Sequence, residues 1–250
     1  MKIGAQLYTL RNFCQTTEAL AETLKKVADI GYTTVQLSGV CDYDPVWMKQ
    51  QLNANGLICA CTHTNPQRLM KETDRVSADH LAMDCRYVGL GSFGPWDSDT
   101  AQRYQEFLSV YKPVAKRFRE NGLYFMYHNH DKEFLHIHGT TILRKMAQDF
   151  APEELGFVLD TYWIQFGGAN PCEYIREFTG RVPCIHLKDY AAGQIMKPIG
   201  EGNINFEEVT AACQDAGAEY LLVEQDDCNG EDPFACLKRS YEYLRSLGLD

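Results

Sequence analysis

Several apolar runs in this chain end in a side chain that can bind a metal or move a proton. Leu155-Gly-Phe-Val-Leu159 runs into Asp160, Val182-Pro-Cys-Ile185 into His186, and Tyr220-Leu-Leu-Val223 into Glu224. Another, Leu123-Tyr-Phe-Met-Tyr127, is followed by His128-Asn-His-Asp-Lys-Glu133. His63 comes just after Leu57–Cys61, and Gln36 sits within Thr34–Leu37. Taken singly, each has an ordinary explanation. Asp160 before Thr161 reads as a helix N-cap, Glu224 as a rim ion pair, His186 as a core histidine, and His136 and His138 as loop residues. The recurrence on successive strands points instead to strand ends that converge on one divalent metal ion. Carboxylates with one imidazole suit Mn2+, Mg2+ or Co2+ and accommodate Zn2+, whereas a thiolate-rich or all-imidazole set suits structural zinc or copper. Three carboxylates and a neutral histidine leave such a site at a formal charge of about -1, and an octahedral ion keeps positions open for adjacent oxygens of a sugar.

The elements that must carry these residues are legible in the hydrophobic pattern. Short apolar runs begin at Ile3–Leu7, Thr34–Leu37, Leu57–Cys61 and Arg86–Leu90, and continue at Leu123–Tyr127, Gly156–Leu159, Val182–Ile185 and Tyr220–Val223. Stretches of helical period separate them. Glu18–Ile30 repeats apolar residues at Leu20, Leu24, Val27 and Ile30 and stops at Gly31. Tyr104–Glu120, Phe206–Ala216 and Pro233–Leu247 behave alike. Near-continuous apolar strands alternating with helices predict a parallel sheet covered by helices. With 250 residues, the chain matches the roughly 250 of a (β/α)8 barrel. The expected fold is therefore α/β, a TIM barrel of a single domain over residues 1–250. No G-x-G-x-x-G follows the first strand, so a dinucleotide fold lacks its main signature. In a TIM barrel, chemistry sits at the C-terminal ends of the strands, where the residues above lie.

Composition narrows the partners. A net charge of -10 disfavours nucleic acid and anionic membranes, which need basic patches. No apolar run approaches bilayer-spanning length, and Met1-Lys-Ile-Gly reads as a strand start rather than a signal peptide. The ten cysteines are scattered through strand and helix patterns, as expected for reduced, buried thiols of a cytoplasmic protein. A homo-oligomer is compatible with a barrel of this size, but no self-complementary patch is legible.

Five segments together resemble the xylose isomerase-like TIM barrels, specifically the sugar phosphate isomerase/epimerase group. They are Tyr127-His-Asn-His-Asp-Lys-Glu-Phe134; Leu159-Asp-Thr-Tyr-Trp163 with Gly167–Pro171; His186-Leu-Lys-Asp189; Gly200-Glu-Gly202 with Asn205-Phe206; and Val223-Glu-Gln-Asp226. The resemblance spans nearly the whole chain. It implies one divalent metal held by Glu133, Asp160, His186 and Glu224. Many relatives place a glutamate directly at the end of the fifth strand, where this chain has His128, so His128 and His130 are alternatives to Glu133. Relatives often carry a glutamate where this chain has Gln36.

The resemblance further implies a metal-dependent isomerase or epimerase of a sugar or sugar derivative. The reaction is proton abstraction next to a carbonyl through a metal-stabilised ene-diolate. Glu133 and Glu224 would be the base-acid pair, His128 or His130 a proton shuttle, and Lys188 an oxyanion partner unless it pairs with Asp189 or Asp160. His63, Trp163 and Gln36 would contact substrate, with Tyr8 and Phe93 adding to an aromatic wall. The segment Gly200-Glu-Gly-Asn203 sits where barrels often bind phosphate, but Glu201 opposes a dianion. An alternative on the same site is a lyase or dehydratase acting on a keto-sugar or inositol derivative. A DNA phosphodiesterase of the endonuclease IV type requires a multi-zinc cluster and a basic groove that this composition opposes. A non-catalytic sugar-binding barrel is the remaining alternative.

Overall fold

The structure, a computed structural model, describes residues 1–96 and 99–249. Eight parallel strands close a barrel: β1 (Lys2–Gln6), β2 (Thr34–Leu37), β3 (Ile58–His63), β4 (Tyr87–Leu90), β5 (Tyr124–His128), β6 (Leu155–Asp160), β7 (Cys184–Leu187) and β8 (Tyr220–Val223). They hydrogen-bond in chain order, and β8 returns to β1 with Lys2 opposite Tyr220 and Ala5 opposite Val223. The helices surround them: α1 (Thr17–Ile30), α2 (Pro45–Ala54), α3 (Pro66–Lys71), α4 (Thr73–Ala82), α5 (Thr100–Glu120), α6 (Ile142–Asp149), α7 (Thr161–Phe166), α8 (Pro171–Glu177), α9 (Phe206–Ala216) and α10 (Pro233–Ser246). None of the described helices is long and apolar enough to cross a membrane.

The seventh strand starts later than its apolar run. Pro183 has no N–H to give a ladder, and its carbonyl instead takes the N–H groups of Glu219 and Tyr220, each at 2.9 Å. Cys184 therefore opens β7, and His186 lies inside the strand. Helices α2 to α4 are absent from the sequence reading. α2 buries only Met48 and Leu52, too few to print a strong helical period. Its start is nonetheless marked by Asp44 before Pro45, an N-cap with proline in the first turn. The Asp44 carboxylate accepts from Val46 N–H at 3.0 Å and Trp47 N–H at 2.9 Å.

Two apolar populations fill the molecule. The larger lies between strands and helices. The smaller is a group of Ala60, Cys61, Tyr87, Met126, Val158, Cys184 and Leu222. Side chains two apart on a strand share a face, so Met126, Val158, Cys184 and Leu222 set the direction of His128, Asp160, His186 and Glu224. Those four polar residues form the next layer toward the C-terminal mouth.

Candidate metal centre

Each of the four donates one atom to a shared point, and these atoms lie within 4.8 Å of one another. His128 Nε2 stands 3.5 Å from Asp160 Oδ2, while His186 Nδ1 stands 3.7 Å from the same oxygen and 3.0 Å from Glu224 Oε2. The opposite atom of every group is tied back into the barrel. His128 Nδ1–H donates to the Gly91 carbonyl at 3.0 Å. Asp160 Oδ1 accepts from Trp163 N–H at 2.9 Å, capping α7. His186 Nε2–H donates to Gln36 Oε1 at 2.6 Å, and Glu224 Oε1 accepts from Gln6 Nε2 at 2.7 Å. With the outer nitrogen of each ring donating, the inner nitrogen is the one that offers its lone pair to a cation when its proton is displaced. Carboxamide and carbonyl partners of this kind orient metal-binding histidines.

The inner atoms His128 Nε2, Asp160 Oδ2 and His186 Nδ1 are buried and have no hydrogen-bond partner. Buried acceptors are normally satisfied. Three that converge on one point, with a second carboxylate beside them, form a donor set that fits a divalent cation. The electrostatics agree. Burial pushes the His186 imidazole down, yet Glu224 and Asp160 outweigh it and lift it to about 9. Burial likewise favours protonation of Glu224, but Lys188 and His186 hold its carboxyl well below the ordinary range. The pocket thus demands positive charge.

Glu133 requires a correction. The structure places it outside the four, with both carboxylate oxygens committed to the wall. Its Oε1 accepts from Tyr127 O–H at 2.6 Å and Trp96 Nε1–H at 2.9 Å, and its Oε2 accepts from His130 N–H at 2.8 Å. His128 stands where Glu133 was expected. Gln36 also changes place: it is fully buried behind His186 and does not line the cavity. Replacing it with leucine is expected to free the His186 ring and weaken metal binding roughly 10–100-fold. A competition titration against a fluorescent chelator reads this, and unchanged affinity would rule out the orienting role.

A cavity of about 370 Å³ opens over the cluster, and Tyr8, His63, His128, His130, Lys188 and Glu224 are among its lining residues. His130 lies past the end of β5, so strand parity does not aim it. Its backbone N–H on Glu133 fixes the turn, and its ring packs edge-on to His128 at 4.7 Å. Burial, with His128 and Lys188 adding to it, holds the His130 imidazole down at about 3. His63 Nδ1 is 3.2 Å from Ser38 Oγ. Trp163, expected to contact substrate, does not line the cavity: its ring lies behind His130, 5.2 Å away with the planes tilted by 53°, and 5.1 Å from Lys188 Nζ. Phe93 packs into the aromatic core against Trp96 and Phe107 rather than walling the cavity.

Lys188 is buried and ion-paired three ways: with Asp226 Oδ2 at 2.5 Å, Glu224 Oε2 at 3.4 Å and Asp160 Oδ2 at 3.7 Å. Asp189 is not its partner. That carboxylate accepts the N–H groups of Gly200 (2.9 Å), Gly202 (2.8 Å) and Ile204 (3.2 Å). A Cβ on Gly202 would lie 2.4 Å from Asp189 Oδ1, which accounts for the glycine. The backbone nest that resembled a phosphate site is therefore filled by the chain's own carboxylate. Asp226, Gln6 and Asn129, whose Oδ1 accepts Asp160 N–H at 3.0 Å, are site residues that sequence reasoning gave no role. Gln6 was marked only by ending an apolar strand on its inward face.

Comparison with known proteins places this geometry. A family model described as xylose isomerase-like TIM barrel matches residues 24–247. An inosose dehydratase of Geobacillus kaustophilus (strain HTA426) is 24% identical over 274 aligned positions, covering 90% of this chain and 86% of that protein. A sugar phosphate isomerase/epimerase from Parabacteroides distasonis ATCC 8503 superposes with a TM-score of 0.82 at 19% identity, covering 98% of this chain and 94% of that one. An L-ribulose 3-epimerase superposes with a TM-score of 0.79 at 16% identity, again over 98% and 94% of the two chains. At these identities the structural likeness establishes the barrel rather than the reaction.

Proposed function

Because the chain belongs to the xylose isomerase-like TIM barrel family, we propose that it is a divalent-metal-dependent enzyme that moves a proton next to the carbonyl of a sugar or sugar derivative, as an isomerase or epimerase. The observation that carries this reading is the set of inward, unpartnered atoms of His128, Asp160 and His186 beside Glu224, with His128 and Glu224 lining a sugar-sized cavity. His128, Asp160, His186 and Glu224 would hold the ion. Two imidazoles and two carboxylates favour Mn2+, Co2+ or Zn2+ over Mg2+, which prefers an all-oxygen shell. When bound, the metal supplies Lewis-acid polarisation of the substrate oxygens.

The chain's own groups supply the rest. Glu224 is ionised and faces the cavity, with Gln6 fixing its rear oxygen, so it is the group assigned to take the proton. Lys188, 3.4 Å from Glu224 Oε2, is placed to stabilise negative charge that develops on substrate oxygen. His130 lines the cavity and stays neutral at physiological pH, a form suited to hydrogen-bonding a substrate hydroxyl rather than to taking up a proton. Tyr8 offers a ring face to the apolar side of a sugar, and His63 a ring nitrogen to its hydroxyls. The self-filled nest at Asp189 supports an unphosphorylated substrate. The relative named as an inosose dehydratase favours one second reading, in which the same proton abstraction is followed by loss of a β-hydroxyl as water.

The test is incubation of Mn2+-loaded protein in D2O with a panel of ketoses, aldoses and inososes. Deuterium at the carbon next to the carbonyl, in recovered or isomerised sugar, is expected of the first reading, and a dehydrated product of the second. No exchange and no dehydration across the panel would overturn both.

A further inference from the structure

A second cavity, of about 700 Å³, adjoins the one over the metal cluster and shares Ser38, His63, Thr64 and Asn65 with it. It lies between the segment after β2, with the start of α2, and the segment after β3, with α3 and α4. A site of roughly 300–1,000 Å³ suffices for a whole small-molecule ligand. The first cavity alone falls in that range, so the second is surplus to a single sugar ring.

Its chemistry is polar without being anion-seeking. Asp42, Asp44, Glu72 and Asp79 line it against Arg68 and Arg75. Arg68 is already neutralised, with Nη2 2.7 Å from Asp79 and Nε 3.4 Å from Glu72. Excess carboxylate repels a phosphate or carboxylate group and suits hydroxyl donors.

The shared wall has a defined hydrogen-bond polarity. His80 Nδ1 is 2.7 Å from the Val76 carbonyl, which can only accept, so the ring proton sits there. Burial holds this imidazole neutral, down at about 4, which makes Nε2 an acceptor. Thr62 Oγ1, 2.8 Å from Nε2, must then donate to it, and Thr64 Oγ1, 2.8 Å from Thr62 Oγ1, must donate in turn. The single hydroxyl proton of Thr64 is thereby committed. At the junction of the two cavities Thr64 offers only lone pairs, which bind a hydroxyl donor and reject an unprotonated oxyanion.

We propose that the second cavity is a substrate subsite, and that the natural substrate is a carbonyl sugar carrying a second neutral, hydroxyl-rich unit, of disaccharide or glycoside size, with Thr64 accepting a hydroxyl at the junction. This rests on the sugar-carbonyl reading of the metal site and extends it.

The test is calorimetric binding to Mn2+-loaded protein of D-fructose, D-fructose 6-phosphate and three fructose-containing ketodisaccharides, maltulose, isomaltulose and lactulose. At least one disaccharide is expected to bind 10-fold or more tightly than fructose, and the phosphate no more tightly than fructose. Asp42→Trp, an exposed residue of the second cavity, is expected to erase the disaccharide advantage and leave fructose affinity unchanged. Thr64→Val is expected to cut the advantage, and Thr64→Ser to keep it. Fructose binding with no gain from any added unit, or a gain untouched by Asp42→Trp, overturns the subsite and leaves the sugar-carbonyl reading standing. Failure of every sugar to bind overturns both.

Discussion

Asp160→Asn is expected to empty the metal centre while leaving the barrel folded. The two carboxylate oxygens have separate duties. Oδ1 caps α7 through Trp163 N–H, and Oδ2 is the unpartnered atom shared by His128 and His186. Asparagine keeps an oxygen for the cap, since it is among the preferred N-cap residues, but removes the charge. Metal content after Mn2+ loading should fall from about one per chain to near zero. Affinity should drop by more than the roughly 100-fold that follows loss of an outer-shell partner. Asp160→Ala should lose the metal equally and add about 1 kcal/mol of destabilisation from the missing cap. Elemental analysis together with chemical denaturation separates the effects. Full metal occupancy in Asp160→Asn would remove Asp160 from the ligand set.

The second large effect concerns Lys188. Its ammonium is buried among Asp160, Glu224 and Asp226. A methionine of similar length would leave three carboxylates close together without their cation. Breaking a buried ion pair from one side costs about 3–5 kcal/mol. In a chain of this size that corresponds to a melting temperature lower by about 6–20 °C, at roughly 2–4 °C per kcal/mol. The loss should be largest in metal-free Lys188→Met and partly recovered when Mn2+ is added, because a divalent ion restores positive charge beside Asp160 and Glu224. Melting curves with and without Mn2+ read both parts. An unchanged melting temperature in the metal-free variant would mean that the ammonium does not balance the cluster.

Much of the barrel is written in single-residue patterns because its strands are buried on both faces. β2, β4 and β7 show no exposed residue at all, and such strands read as continuous apolar runs. Helices α2 to α4 bury narrow faces and leave a weaker trace. Pro183 moves the start of β7 in a way that hydropathy does not register.

At the site, Asp160, His186 and Glu224 stood out because each closes an apolar run on the inward side. The fourth member was harder to read. A glutamate near the fifth strand drew attention to Glu133, whereas the better signal was strand parity: Met126 faces the barrel interior, so His128 two residues on does too. What holds Glu133 away is a set of hydrogen bonds from Tyr127, Trp96 and His130, of which Trp96 is distant in sequence. The same holds for Asp189. Its motif marks it as a strand-end acid, and only the folded loop reveals that it fills the nest formed by Gly200, Gly202 and Ile204.

The most direct measurement is metal content per chain after Mn2+ loading and desalting, in the parent, Glu133→Gln and His128→Ala, with circular dichroism to verify folding. The four-residue centre at His128, Asp160, His186 and Glu224 requires about one ion in the parent and in Glu133→Gln, and a marked loss in His128→Ala. No ion in the parent, or loss in Glu133→Gln with retention in His128→Ala, would contradict it.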